Sequence, residues 1–351
     1  MTEASGALPY FTADDVARLL PFDRAMAAVE QALVTDVNPE HDGPRLFSDF
    51  PGGEFLLMPA QGGRYSGLKA LTVAPENPAR GLEKIQGLYI VYSSDTAAPL
   101  AILEGASLTA IRTPAIALAA VRALARIAPA GAALPERPRI LVFGAGVQAS
   151  AHVRAAAVAF PGARFDVIGR RPERVTAMLD ELARTAETSG TEFGASTGLH
   201  ASTGLSTNTE IRDRTGDAAA AVPEADIILC TTSASSPLFD GALVADHAIV
   251  AANGTHGRDK RELDDALITR ADLVVEGRAS AQRENGNLAT ALSDADWSGS
   301  GAPANLQDLV AGRVTRTSGR PAVFTGVGMA WEDLVCAAAV LDAAATAGHR
   351  A

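Results

Sequence analysis

Short apolar runs bounded by turn residues alternate with alanine-rich helical stretches along this chain, and the way they alternate changes partway through. Thr12 with Asp15 three residues later has capping-box spacing, and Met26, Val29, Glu30 and Leu33 follow at helical intervals. The chain should therefore open with short helices. From Pro44 to Leu103 the pattern changes to strands. PRLFSDF, a Pro51-Gly52-Gly53 turn, EFLLMPA, GLKALTV, KIQGLYIVY and PLAILEG read as a largely antiparallel sheet. Ser107 to Arg112 reads as a short helical turn, after which Thr113 would cap a new helix with Pro114 at its first position, running to about Arg126. Ala128 to Pro138 is the most linker-like stretch.

Beyond it the pattern becomes strand, turn, helix, repeated. In RILVFGAG, Leu141 to Phe143 form a short apolar run that stops at Gly144, Ala145 and Gly146, and an uncharged helical pattern from Val147 to Ala159 follows. FDVIG precedes a helix opened by Pro172, and ADIILCTT, HAIVAANG and ADLVVEG are further buried strands. Such alternation predicts a parallel sheet with covered faces. Thr188 to Thr209, rich in Ser, Thr and Gly with ASTGL twice, reads as a flexible surface insertion. AVFTGVG and the helical MAWEDLVCAAAVLDAAATA close the chain, and that last helix should pack back on the first domain.

A strand, a glycine turn and a helix start together make an anion cradle. The first glycine relieves the turn, the second lets a pyrophosphate approach the backbone, and the helix's first N–H groups point at it. Gly144, Gly146, Val147 and Gln148 are the candidate cofactor contacts, with Ala149 in the third position of the glycine pattern. Cofactor choice turns on the end of the next strand. Instead of an acid for the ribose hydroxyls, FDVIGRRPER offers Gly169, Arg170 and Arg171, which suits a 2′-phosphate. The sequence thus favours NADP(H), with NAD(H) as the alternative. Thr231 and Thr232, ending ADIILCTT, should also border the nucleotide, since ligands lie beyond the carboxyl ends of such strands.

Composition narrows the class. The 351 residues suffice for two domains, and the 47% hydrophobic content is that of a globular protein. No apolar run approaches the ~20 residues a membrane span needs, and Met1 to Gly6 lacks a basic start and apolar centre, so a cytoplasmic protein is expected. A net charge of −11 argues against nucleic acid and anionic membranes as partners. Cys230 and Cys336 read as small buried hydrophobes, and the six histidines show no ligand spacing, so no metal is expected.

Five ordered segments together resemble the ornithine cyclodeaminase/mu-crystallin family. They are LMPA through GLK at Leu57 to Lys69, SLTAIRT at Ser107 to Thr113, VFGAGVQA at Val142 to Ala149, RELD at Arg261 to Asp264, and GVGMAWEDL at Gly326 to Leu334. The resemblance implies an α/β protein, usually dimeric, in which a doubly wound Rossmann sheet is inserted into a second, α+β domain. The expected division is a substrate-binding and dimerisation domain from residues 1–126 plus 321–351, and a dinucleotide-binding domain from 127–320. It also implies hydride exchange between nicotinamide and the α-carbon of a small amino or imino acid.

Arg45, read as lying in a strand, and Arg112, at the end of a helical turn beside Thr113, match family positions that hold the substrate carboxylate. A guanidinium makes a two-pronged contact with that group. Arg112 and Thr113 should also lie close to the cofactor. Lys69, inside an otherwise apolar strand, either snorkels from an edge or is buried beside a ligand with a lowered pKa. The resemblance implies the second, with roles in substrate binding and proton transfer. Gly326 and Val327 should approach the nicotinamide from the other domain. His256 departs from the cyclodeaminase pattern, which has aspartate at the matching place for a distal amine. Imidazole anchors an ammonium poorly but can act as a general acid toward an imine nitrogen or contact a second carboxylate. The leading expectation is therefore an NAD(P)H-dependent imine reductase, or an amino-acid dehydrogenase run in reverse. A redox-neutral cyclodeaminase and a non-catalytic NADPH-binding, crystallin-like protein are the alternatives.

Overall fold

The computed structural model describes residues 7–43, 45–189 and 209–347. Most of the Thr188–Thr209 insertion lies outside the described residues. The Thr12–Asp15 capping box forms and opens helix α1 (Ala13–Leu19), which α2 (Phe22–Thr35) follows. These helices accompany a six-stranded sheet of β1 (Tyr10–Phe11), β2 (Leu46–Phe50), β3 (Gly53–Gly62), β4 (Tyr65–Val73), β5 (Ile85–Ser93) and β6 (Pro99–Glu104). Its order is β1-β6-β5-β4-β3-β2, antiparallel except for the β1–β6 pair. In register across it, Met58, Lys69, Tyr89 and Leu103 form one buried row. Because side chains alternate along a strand, Leu46, Phe55 and Leu88 project from the other face, where they are exposed.

Helix α3 (Gly105–Arg126) joins the two halves, and here the structure corrects the sequence reading. There is one helix, not a turn and a new helix. Glu104 caps it, its carboxylate accepting from Ala106 N and Ser107 N at 3.0 and 2.6 Å. Thr113 is no cap: its Oγ1 donates to Thr109 O, and Pro114 sits inside the helix with no N–H to give. Read as two pieces, this stretch hid a helix long and apolar enough to cross a membrane. It is instead a core helix, with 72% of its most apolar window buried, contacting β5 of the first sheet.

The second sheet has eight strands, all parallel: β7 (Arg139–Phe143), β8 (Arg164–Ile168), β9 (Ile211–Asp213), β10 (Ile227–Cys230), β11 (Ile249–Ala252), β12 (Asp272–Val275), β13 (Ala304–Asn305) and β14 (Ala322–Thr325). Helices α4 (Val147–Ala159), α5 (Pro172–Ser189), α6 (Ala218–Ala221), α7 (Asp265–Arg270), α8 (Arg278–Glu284), α9 (Gly286–Ala289) and α10 (Leu306–Val310) are spaced between them. The order β13-β12-β14-β11-β10-β7-β8-β9 reverses between β7 and β10, which puts the glycine loop at a switch point. Strand β14 pairs with β11 and β12 inside this sheet. The chain therefore returns to the first half after Thr325, not at residue 321, because AVFT is an apolar parallel strand fully buried on both sides. Helix α11 (Ala330–Thr346) then packs on α2, α3 and strands β3, β4 and β5.

Candidate active site

Gly144 and Gly146 have different physical reasons. Gly144 has φ +127°, and a Cβ there would lie 2.5 Å from Thr231 Oγ1. Thr231 is held that close because its N and Oγ1 both donate to Phe143 O, at 2.9 and 2.8 Å. Among the described residues, a Cβ at Gly146 would meet nothing within 4 Å, and no side chain caps the start of α4. The loop thus leaves open space over uncapped N–H groups, which fits a pyrophosphate. Val147 is exposed there, and Gln148 donates from Nε2 to Thr109 O at 3.4 Å, tying the loop to α3 one turn before Arg112 and Thr113.

At the end of β8, a Cβ on Gly169 would lie 2.4 Å from Val175 Cγ2, so no acidic side chain fits at that position. Arg170 and Arg171 follow, both exposed, with Arg171 Nε 4.0 Å from Glu173. Thr232 has a structural tie: Glu262 accepts from its N and Oγ1 at 2.7 and 2.8 Å and from Gly254 N at 2.9 Å. The RELD segment therefore fastens the ends of β10 and β11 to each other.

The charged centre lies under the first sheet. Lys69, 1% exposed within its apolar row, donates from Nζ to Asp333 Oδ1 at 2.8 Å. Arg112 Nε stands 3.4 Å from the same oxygen, and its Nη1 donates to Glu332 Oε2 at 2.6 Å. Burial pulls the Lys69 ammonium down, Asp333 pulls it up and Arg112 adds to the lowering, leaving it at about 8 rather than 10.5. Burial also works against the Arg112 cation, but Asp333, Glu332 and Glu276 outweigh it and keep that group charged. Burial and the neighbouring Glu276 push Glu332 well above the usual carboxylate range. Glu276 accepts from Val327 N at 2.9 Å and Gly328 N at 3.1 Å, and so fixes the loop after β14. Asp42 accepts from Ala330 N at 2.9 Å and sets the start of α11; burial lifts its carboxyl to about 6.

A second cluster adjoins the first. Arg45 is not in a strand but just before β2, where its guanidinium donates to the carbonyls of Val327 and Gly328. Its Nη1 lies 3.2 Å from Glu284 Oε2, and His256 Nε2 lies 3.3 Å from the same oxygen. Burial raises Glu284, but His256, Arg45 and Arg283 outweigh burial and hold it at about 2. His256, 42% exposed at its side chain, faces Phe47 with ring centroids 6.5 Å apart.

The structure thus joins Lys69 to Arg112 through Asp333 and Arg45 to His256 through Glu284, and Val327 and Gly328 connect the two clusters. Gly326 N reaches Ala252 O at 3.1 Å, at the end of β11. Arg112 is mid-helix, not at the end of a turn, which directs its guanidinium toward α11. Arg170 and Arg171 stand apart, at the end of β8. Polar atoms that are buried and have no hydrogen-bond partner among the described residues gather at the centre: Arg112 Nε, Glu284 Oε2, Glu332 Oε1, Asp333 Oδ2 and the Tyr89 hydroxyl. Such a concentration marks a place built for a polar ligand. The sequence reading missed its acids, Glu276, Glu284, Glu332 and Asp333. The one available signal was a pair of acids opening an otherwise apolar helix at Glu332 and Asp333, which also fits ordinary helix-dipole compensation.

Comparison with known proteins bears on the whole chain. The model of the ornithine cyclodeaminase/mu-crystallin family matches residues 10–348. A Delta(1)-pyrroline-2-carboxylate/Delta(1)-piperideine-2-carboxylate reductase of Azospirillum brasilense is 30% identical over 345 residues, covering 97% of this chain and 98% of its own. Among solved structures, Thermococcus litoralis Delta(1)-pyrroline-2-carboxylate reductase in complex with NADH and L-proline superposes with TM-score 0.79 at 22% identity, covering 97% of this chain and 98% of that one. An archaeal alanine dehydrogenase dimer with bound NAD gives 0.78 at 23% identity, covering 98% of each chain.

Proposed function

Because the chain belongs to the ornithine cyclodeaminase/mu-crystallin family, we propose that it is an NAD(P)H-dependent oxidoreductase that reduces the C=N bond of a small imino acid. Cyclic imino acids of the kind named for its relatives, pyrroline- and piperideine-2-carboxylate, are the first candidates. The observation that carries the reading is Lys69, a fully buried amine in an apolar strand whose pKa, about 8, lies close to neutral. A proton donor works best when its pKa lies near the working pH.

The nicotinamide, when bound, supplies a hydride to the α-carbon. Arg45 and Arg112 would hold the substrate carboxylate, which would compete with the Val327 and Gly328 carbonyls and with Glu332 for their N–H groups. Lys69 would give its proton to the imine nitrogen, and Asp333 keeps the ammonium in place for that transfer. His256 is the second candidate for moving a proton, at the more exposed side of the site. Gly144, Gly146, Val147, Gln148, Thr113, Thr231, Thr232, Gly326 and Val327 would line the cofactor.

NADP(H) is the expected cofactor over NAD(H), because Gly169 excludes an acid and Arg170 and Arg171 stand unburied beside it. Replacing both by serine should raise the KM for NADPH about 10- to 100-fold and leave that for NADH within about threefold, as loss of charge-assisted contacts to one phosphate implies. Equal effects on both cofactors would reverse the assignment. The expected partner is a second copy of this chain, on the outer sheet face that carries Leu46, Phe55 and Leu88 at 53%, 43% and 39% exposure. Light scattering should show a dimer that Leu46→Glu with Leu88→Glu dissociates.

Turnover separates the readings. Loss of NADPH absorbance with either cyclic imino acid supports the proposal. Ammonia and proline from ornithine without net NADH would indicate a cyclodeaminase, and tight NADPH binding with no turnover a binding protein.

A further inference from the structure

Away from the glycine loop, a cavity of about 790 Å³ lies along β12, between residues 301–304 and the 313–320 loop that leads into β14. Its lining shares no residue with the reaction site described above. The lining is polar and holds four arginines, Arg278, Arg313, Arg316 and Arg320, against three aspartates, Asp272, Asp296 and Asp308.

The aspartates are largely spoken for. Asp308 takes Arg313, with Nε and Nη2 at 2.9 and 2.8 Å from Oδ1, and Arg278 pairs chiefly with Glu40 at 3.3 Å. Asp296 accepts from Ser293 N and Oγ, both at 2.7 Å. Asp272 accepts from Thr317 N at 2.5 Å and stands 3.6 Å from Arg320 Nε. Arg316 is left over. It is only 7% exposed, no carboxylate lies within 4.0 Å of it among the described residues, and its one hydrogen bond runs from Nη2 to His247 O at 3.2 Å. Among the described residues its Nε and Nη1 are buried without a hydrogen-bond partner, and so is Arg320 Nε. Asp272 compensates the Arg316 charge only from beyond ion-pair distance and burial outweighs it, so the guanidinium is costly as it stands, and buried donors without acceptors are rare. Two guanidinium groups here hold three unfilled N–H donors at one cavity.

We infer that this cavity is a second ligand site, in which Arg316 and Arg320 bind an oxyanion group of a small molecule, either a phosphate or a carboxylate. Its volume is in the range of small-molecule sites, and the polar lining suits a ligand charged along its length rather than an apolar one. The planar fork of arginine matches both oxyanions, so the chemistry of the cavity leaves the two sources to experiment.

The test is calorimetric titration of the whole protein with pyrophosphate and, separately, citrate, each with and without saturating NADP⁺. The expected result is saturable binding of at least one probe, unaffected by NADP⁺ and by the Arg170→Ser/Arg171→Ser change, and weakened at least tenfold by Arg316→Met. Pyrophosphate alone would identify a phosphate ligand, and citrate alone a polycarboxylate. No saturable binding of either probe, binding that NADP⁺ competes away, or binding that survives Arg316→Met would overturn the inference. Should Arg316→Met fail to fold, Arg320→Gln, at a more exposed side chain, carries the same comparison with the same expected tenfold loss. Because no nicotinamide turnover enters the readout, failure here is separate from failure of the reductase reading.

Discussion

Replacing Lys69 by methionine keeps most of the length of the side chain and removes the buried amine, and its effect on stability should depend on pH in a defined direction. In the folded protein the ammonium loses its proton near 8, whereas an unfolded chain keeps it to about 10.5. Between those values the unfolded state binds more protons, so wild-type stability rises with pH through that window. The contribution is absent below about 8 and complete above about 10.5. At about 1.4 kcal/mol for each pH unit, the full effect is about 3 kcal/mol, of which about 2 kcal/mol falls between pH 7.5 and 10. The variant has no amine to titrate. Its Asp333 keeps Arg112 Nε at 3.4 Å, so part of the carboxylate's compensation survives the change. Denaturant titrations of both proteins, read through the two tryptophans, give the comparison at several pH values. The stability difference, wild type minus variant, should grow by about 2 kcal/mol from pH 7.5 to 10. Parallel curves would refute the reasoning, because they would mean that Lys69 is not desolvated as its burial requires.

Two further outcomes follow from the geometry. Gly144→Ala places a Cβ 2.5 Å from Thr231 Oγ1 at φ +127°, a strain of about 1–3 kcal/mol that the loop can relieve only by moving. NADPH binding should weaken about tenfold or more, as fluorescence titration would show. His256→Asn removes one of the groups that hold Glu284 beside Arg45. If His256 acts by positioning, KM for the imino acid rises severalfold with kcat nearly unchanged; a fall in kcat of about 100-fold would assign it the proton transfer instead.

How much of this was legible in the sequence depended on distance along the chain. The glycine loop is local, and RILVFGAG with its following helix declared both strand and turn. Lys69 was visible because a charge inside GLKALTV breaks the pattern. Pro114 misled, because a proline after a threonine imitates a helix start; Glu104, ten residues earlier, is the cap that makes α3 continuous. Arg45 was placed in a strand because β2 begins one residue later. Of the acids that set the charge state of the site, only Glu332 and Asp333 left a signal, and it fits ordinary helix-dipole compensation equally well. Asp333 meets Lys69 across 264 residues, and Val327 N meets Glu276 across 51. Strand β14 looked like part of the last helix's domain because sequence order carries no record of its insertion between β11 and β12.

Buried Lys69 is the proposed donor of the proton that accompanies hydride transfer. The direct measurement is the pH dependence of kcat/KM for reduction of pyrroline-2-carboxylate by wild type and Lys69→Met. Because the donor must be protonated and loses its proton near 8, wild-type kcat/KM should fall as pH rises through about 8. The variant should retain a rate about 10²- to 10⁴-fold lower with that limb gone. A variant that keeps both the rate and the limb would contradict the assignment.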